Sequence, residues 1–295
     1  MTTLSTFREL NGIECGKAVR ARIAEAAALV KSKRGHAPHL AAVLVGDDPA
    51  SQTYVGSKVK ACEEVGFRSS LLKRPADIAE ADLLRLVDQL NNDPQVDGFI
   101  VQLPLPKHIN EERITLAIAP GKDVDGFHPQ NLGRMMLGLP GYLPATPNGI
   151  VELLKHYEVP TEGKHCVVVG RSNIVGTPMA ILMSRNTYPG NCTVTIAHSR
   201  TKDLPGITRQ ADILIVAIGK PNFITADMVK QGAVVVDVGI HRVDDATRKK
   251  GYRICGDVDF DAVAPKSAWI TPVPGGVGPM TVTSLLLNTL KAAEN

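Results

Sequence analysis

Short apolar runs alternate along this chain with longer stretches whose apolar positions recur at helical spacing. The runs are His39–Val45, Phe67–Leu72, Gly98–Gln102, Cys166–Val169, Thr193–Ala197, Ile213–Ala217 and Val234–Val238. Most are rich in Val and Ile without polar alternation, as expected of strands buried on both faces of a sheet. Strands alternating with amphipathic segments predict parallel sheets covered by helices, an α/β fold. Alanines and leucine at helical spacing predict a helix from Asn11 to Arg34, and similar patterns predict helices over Gly149–Tyr157 and Met280–Ala293. Gly46-Asp47-Asp48-Pro49 reads as a turn, with Ser51 as the N-cap of the helix that follows, and Pro279 is placed to start the last helix.

The stretch Phe127–Pro147 is dense in Gly and Pro and separates two groups of strands, which puts a domain boundary near Asn148. The expected organisation is an N-terminal α/β catalytic domain over 1–148 and a Rossmann-like parallel-sheet domain over 149–272. A loop and C-terminal helix over 273–295 then return to the first domain, and a cleft lies between the two. A length of 295 residues with 44% hydrophobic content supplies a core to each domain.

Charge narrows the function classes. Lys and Arg number 33 against 30 Asp and Glu, with no long run of either sign, so no nucleic-acid or membrane-surface partner is expected. A small anionic ligand fits this balance. The five cysteines, Cys15, Cys62, Cys166, Cys192 and Cys255, are scattered and form no C-x-x-C pair, which argues for reduced thiols and against a disulfide framework or a zinc site. The opening Met1-Thr2-Thr3-Leu4-Ser5-Thr6-Phe7-Arg8 lacks the apolar core of a secretory signal. No apolar run approaches the ~18 residues that span a bilayer, and a soluble cytoplasmic protein is expected.

The chemistry concentrates at strand ends. Tyr54 and Lys58 stand four residues apart on the helix after the first long strand, so ring and amine share a face and can address one ligand. Val101-Gln102-Leu103-Pro104, Lys122-Asp123-Val124-Asp125-Gly126 and the loop Pro272–Pro279 with Pro274, Gly275 and Gly276 are stiff polar segments able to converge on that pair. Asp123 and Asp125 also suit plain turn formation beside Gly126. The adjacent glycines of the last loop offer exposed backbone donors.

Strand Cys166–Val169 runs into Gly170-Arg171-Ser172-Asn173-Ile174-Val175-Gly176 and a helix, the arrangement on which a pyrophosphate rests against backbone N–H groups. Ser172 replaces the second glycine of G-x-G-x-x-G, so the motif alone is weak. The next strand ends in His198-Ser199-Arg200, with no acid to hold a ribose 2′-hydroxyl. Ser199, Arg171 and Arg200 suit a 2′-phosphate, which predicts NADP over NAD. Val238-Gly239-Ile240 ends another strand at the same edge and suits contact with the nicotinamide ring.

In order along the chain, Tyr-x-x-x-Lys, Val-Gln-Leu-Pro-Leu, Lys-Asp-Val-Asp-Gly, Gly-Arg-Ser-x-x-Val-Gly and Pro-Gly-Gly-Val-Gly-Pro-Met-Thr closely resemble the methylenetetrahydrofolate dehydrogenase/cyclohydrolase family. The resemblance covers essentially the whole chain. It implies NADP-dependent oxidation of 5,10-methylenetetrahydrofolate and hydrolysis of the methenyl product to 10-formyltetrahydrofolate, by a homodimer. It further implies that Lys58 is the catalytic amine, Tyr54 packs on the folate rings, Gln102 positions Lys58 and Asp125 holds the pterin. Many members carry Pro-Cys-Thr-Pro where this chain reads Pro144-Ala145-Thr146-Pro147, so a thiol there is not required. Competing readings are a dehydrogenase alone or one using NAD, a shikimate- or amino-acid-dehydrogenase-like enzyme, and a silent nucleotide-binding module.

Overall fold

A computed structural model describes residues 7–248 and 251–295. Residues 1–6, where most of the leader reading falls, lie outside that range. The chain is a two-domain α/β protein, and it divides into two compact units. One comprises Lys17–Ala145 with Val282–Asn295; the other joins the segment through Gly16 to Thr146–Thr281.

In chain order the elements begin with β1 (Arg8–Glu9), α1 (Gly12–Arg34), β2 (His39–Val45), α2 (Pro49–Glu64), β3 (Arg68–Arg74), α3 (Glu80–Asn92), β4 (Gly98–Val101), α4 (Glu111–Ala117) and α5 (Pro129–Met136). They continue with α6 (Ala145–His156), β5 (His165–Val169), α7 (Gly176–Ser184), β6 (Thr193–Ala197), α8 (Leu204–Thr208), β7 (Ile213–Val216) and β8 (Val234–Asp237). The last are β9 (His241–Asp244), β10 (Tyr252–Cys255), α9 (Phe260–Val263), β11 (Trp269–Ile270) and α10 (Val277–Glu294).

The unit beginning at Lys17 is built on a parallel sheet of order β3-β2-β4. Its central strand β2 is buried at every position, which is why its sequence shows no polar alternation. Ala41, Val43 and Val45, two residues apart, pack with Phe99 and Val101 against the Leu83, Leu86, Val87 and Leu90 stripe of α3. Helix α2 starts one turn earlier than the sequence indicates. Its N-cap is Asp48, not Ser51: Pro49 supplies the first helical residue and the Asp48 carboxylate accepts the Ser51 N–H at 2.7 Å. That bond, helped by the Ser51 hydroxyl, holds the Asp48 carboxyl below its ordinary range.

The other unit carries an all-parallel sheet of order β1-β11-β8-β7-β5-β6. Val167 and Val169, Leu214 and Val216, Val235 and Ile270 form the core on one of its faces. The chain's first described strand, β1, adds to this sheet beside β11 and not to the unit that follows it in sequence. The β9–β10 hairpin is antiparallel and mixed in polarity, so no apolar run announces it. Helix α10 begins at Val277, with Pro279 inside its first turn, where the missing N–H removes no intrahelical bond.

Leu83 is fully buried on α3. Leu83→Ala is expected to reduce the unfolding free energy by about 2–5 kcal/mol, read as a lower urea midpoint at unchanged slope. An unchanged midpoint would contradict this description of the core.

Candidate active site

In the unit beginning at Lys17, the ends of β2 and β4 and the loop after α4 bring together the residues singled out in the sequence. Lys58 lies on α2 with only 7% of its surface exposed. Its Nζ donates to Gln102 Oε1 at 3.0 Å. Gln102 follows β4, where its own N–H donates to Val43 O at 2.9 Å and its Nε2 donates to Leu103 O at 2.7 Å. The glutamine amide is thereby turned with its oxygen toward the amine, a fixed acceptor for a nearly buried charge. Val101 is buried beneath, and Leu103 is half-buried. Tyr54, one helical turn before Lys58, leaves 38% of its surface exposed, and partial burial raises its phenol.

Asp123 and Asp125 have different surroundings. Asp123 is 2% exposed, and its Oδ2 accepts the His128 N–H at 2.7 Å and Asn131 Nδ2 at 3.0 Å. Its carboxylate therefore locks the loop on which Asp125 sits. The same loop is pinned by Asn288 of α10, whose Nδ2 donates to Val124 O and Leu143 O at 2.8 Å each. At Gly126 φ is +76°, and a Cβ would stand 2.6 Å from Leu143 backbone, so only glycine turns the chain here. The Asp125 carboxyl makes no hydrogen bond among the described residues. Burial pushes its pKa up, Lys58 pulls it down, and Asp123 pushes it up again.

In the other unit, β5 runs into the glycine turn. Gly170 has φ +137°, and a Cβ there would meet Ala217 O at 2.3 Å; one on Gly176 would meet Gly170 O at 2.3 Å. Glycine is required at both positions to close the turn against the strand beside it. Ser172 Oγ accepts the N–H groups of Val175 and Gly176 at 3.2 and 3.3 Å, which satisfies two amides at the start of α7. The N–H groups of Arg171, Ser172, Asn173 and Ile174 donate to no group among the described residues, and all four residues are exposed. An exposed, unsatisfied run of amides before a helix N-terminus fits a dinucleotide phosphate.

Past β6, Ser199 and Arg200 are exposed. The nearest following acid, Asp203, is turned into its own helix, with Oδ1 accepting the Gly206 N–H at 3.0 Å. Ile240 lies 45% exposed and lines a cavity of about 240 Å³ with Ile13, Val238, Pro274 and Gly275. Gly275 O accepts the N–H groups of Gly12 and Ile13, at 2.9 and 3.2 Å. The Gly276 N–H donates to Pro272 O at 2.8 Å, so this glycine is not the free donor the sequence indicates.

Two buried carboxylates that sequence reasoning missed organise this sheet edge. Asp237, at the end of β8, accepts the N–H groups of Gly239, Asp257 and Val258 at 2.9 Å each. Asp257 accepts the N–H groups of Ile218, Gly219 and Lys220 at 2.8 to 2.9 Å. The signal was present as Gly239 and Gly256, each too close to an aspartate to carry a side chain. Among the described residues no three His, Cys, Asp or Glu side chains gather as a metal would need.

The fold and these groups define a dinucleotide-binding α/β class. Residues 10–125 match the family model for the tetrahydrofolate dehydrogenase/cyclohydrolase catalytic domain, and residues 144–295 match that of its NAD(P)-binding domain. The chain belongs to the tetrahydrofolate dehydrogenase/cyclohydrolase family. It is 68% identical over 264 residues to the bifunctional protein FolD of Cytophaga hutchinsonii, covering 90% of this chain and 91% of that one. It superposes on the crystal structure of the bifunctional enzyme FolD from Campylobacter jejuni with a TM-score of 0.92 and 49% identity, over 98% and 99% of the two chains. The Trypanosoma brucei dehydrogenase-cyclohydrolase, complexed with NADP cofactor and inhibitor, superposes with a TM-score of 0.90 and 38% identity over 96% of each chain.

Burial outweighs the three N–H bonds at Asp237 and pushes its carboxyl from 3.8 up to about 6. A carboxyl raised by folding stabilises the fold below its unfolded range, and that contribution is lost as the pH rises through about 6. Measured against Asp237→Asn, wild-type stability is therefore expected to rise as the pH falls below 6. A difference independent of pH across that window would contradict this environment.

Proposed function

We propose that this chain oxidises 5,10-methylenetetrahydrofolate with NADP and hydrolyses the resulting methenyltetrahydrofolate to 10-formyltetrahydrofolate. The observation that carries the chemistry is the nearly buried Lys58 amine, held at 3.0 Å by Gln102 and pulling the Asp125 carboxyl down. The oxidised nicotinamide, when bound, supplies the acceptor for the hydride that leaves the folate methylene carbon. The substrate is then a cation shared between two folate nitrogens, and water adds to its one-carbon bridge. Hydrolysis requires a proton to leave that water and a proton to reach the nitrogen whose bond to carbon breaks.

Lys58 moves that proton, and Gln102 Oε1 keeps its Nζ from turning away. Tyr54, half exposed and on the same face of α2, stacks on the folate ring system. Asp125, left without a hydrogen bond by its own loop, accepts from the pterin N–H groups, while Asp123 holds the loop in place. Val101 and Leu103 give the folate an apolar floor. Pro274, Gly275 and Gly276 line the cavity beside Ile240.

On the cofactor side Gly170, Ser172, Val175 and Gly176 shape the turn for the pyrophosphate. Arg171 and Ser199 bind the 2′-phosphate, and Ile240 covers the nicotinamide. Edge strand β6, with Ile196 44% exposed, is the surface through which a homodimer would form. The five cysteines form no disulfide among the described residues, which supports a cytoplasmic location. No described helix is long and apolar enough to cross a membrane.

Lys58→Met is expected to lower methenyltetrahydrofolate hydrolysis by about 10²–10⁴-fold, to the buffer background, while NADP still binds. Hydrolysis by that variant well above background would remove Lys58 from the chemistry. Replacing Arg171 and Ser199 by alanine is expected to raise the KM for NADP about tenfold or more and to leave that for NAD little changed. Equal effects on both would overturn the 2′-phosphate assignment.

A further inference from the structure

Asp257 is fully buried, yet three of its four donors come from the loop after β7 and the fourth from β9. Its Oδ2 accepts Ile218 N–H at 2.8 Å and Gly219 N–H at 2.9 Å, and its Oδ1 accepts Lys220 N–H at 2.9 Å and His241 Nε2 at 2.6 Å. Three successive N–H groups converging on one anion form a nest. Here the protein's own carboxylate fills it, so the nest fixes the shape of the loop instead of receiving a ligand. Asp237 accepts the Asp257 N–H at 2.9 Å and so holds the backbone that presents this carboxylate.

The loop held in this way leaves β7, the strand beside β5. At its start, Ala217 N–H donates to Val169 O at 2.8 Å, and Ala217 O stands 2.3 Å from where a Gly170 Cβ would be. The head of this loop, Ala217, is therefore packed directly against Gly170, where the turn that carries Arg171 and Ser172 begins. Any change in its path moves one wall of the cradle of exposed amides. His241 reaches Asp257 from β9, and because a carboxylate only accepts, its Nε2 carries the proton of that bond. The imidazole is thus the one side-chain donor to this carboxylate among the described residues.

We propose that Asp257, steered by His241, is a positioning residue for the dinucleotide: it holds the loop after β7 as a wall of the cofactor site, so cofactor affinity depends on it and folate hydrolysis does not. This rests on the NADP reading above. A residue that served only the fold would affect both activities together, whereas a positioning residue separates them. Hydrolysis of methenyltetrahydrofolate needs no nucleotide and serves as the internal control.

The experiment compares wild type, Asp257→Asn, His241→Phe and the conservative His241→Gln. NADP affinity is measured by calorimetry, and methenyltetrahydrofolate hydrolysis is measured without nucleotide. Asp257→Asn presents an amide donor to a cluster of donors and is expected to raise the NADP Kd about tenfold or more. His241→Phe is expected to raise it by several fold, and His241→Gln, which can still donate, to restore most of the affinity. Hydrolysis is expected to stay within about twofold of wild type throughout, since these hydrogen bonds lie outside the compact unit that holds the amine. An unchanged Kd in both Asp257→Asn and His241→Phe overturns the proposal, as does a parallel loss of binding and hydrolysis. Should Asp257→Asn fail to fold, the two His241 variants decide alone. A wild-type protein that bound no NADP would overturn the cofactor reading with it, whereas wild-type binding with indifferent variants overturns the positioning role alone.

Discussion

A charge withdrawn from water must find partners, and in this protein the buried charges that do so shape the functional loops. Lys58 is met by Gln102, Asp123 by His128 and Asn131, Asp237 by three backbone N–H groups, and Asp257 by three more and His241. Leaving any of these unpaired would cost on the order of several kcal/mol, so each acts as a fixed point around which a loop is folded. The contrast with Asp125 is informative. It sits in the same loop as Asp123, its carboxyl makes no hydrogen bond among the described residues, and it feels both Lys58 and Asp123. Within one loop, one carboxylate keeps the structure and the other stays available.

Both sheets place such groups where parallel strands end. Parallel pairing buries the strand interiors on both faces and leaves the chain's polar residues to the loops that leave a common edge. Gln102 after β4, the glycine turn after β5, the Asp257-held loop after β7, and Asp237 at the end of β8 are all consequences of that geometry. The alanine at position 145, where many members of the family carry a thiol, is buried and donates its N–H to Asp125 O at 3.1 Å. Its contribution is to the loop backbone.

Much of this was legible in the sequence because burial writes itself as composition. Strands β2, β5, β7 and β8 are nearly uninterrupted apolar runs, and the Tyr54–Lys58 spacing places both residues on one helical face. What escaped depends on contacts distant in sequence. A two-residue strand at Arg8–Glu9 has no periodicity and is recognisable only by its partner near Trp269. The cap of α2 was misplaced by three residues because Asp48 and Ser51 are both good caps, and only the Asp48–Ser51 bond decides between them. Asp237 and Asp257 read as ordinary polar residues near strand ends, since nothing local says that three amides will close around each. Gly276 showed the converse: its freedom in sequence was spent inside its own loop.

The central claim is that one chain both oxidises the methylene bridge and hydrolyses the product. The most direct measurement mixes purified protein with 5,10-methylenetetrahydrofolate and NADP⁺ and follows NADPH and methenyltetrahydrofolate together by absorbance, with NAD⁺ in parallel. The account predicts NADPH formation with methenyltetrahydrofolate held well below the NADPH produced, by more than uncatalysed hydrolysis allows, and a much smaller signal with NAD⁺. Methenyltetrahydrofolate accumulating in step with NADPH, or no NADPH at all, would contradict it.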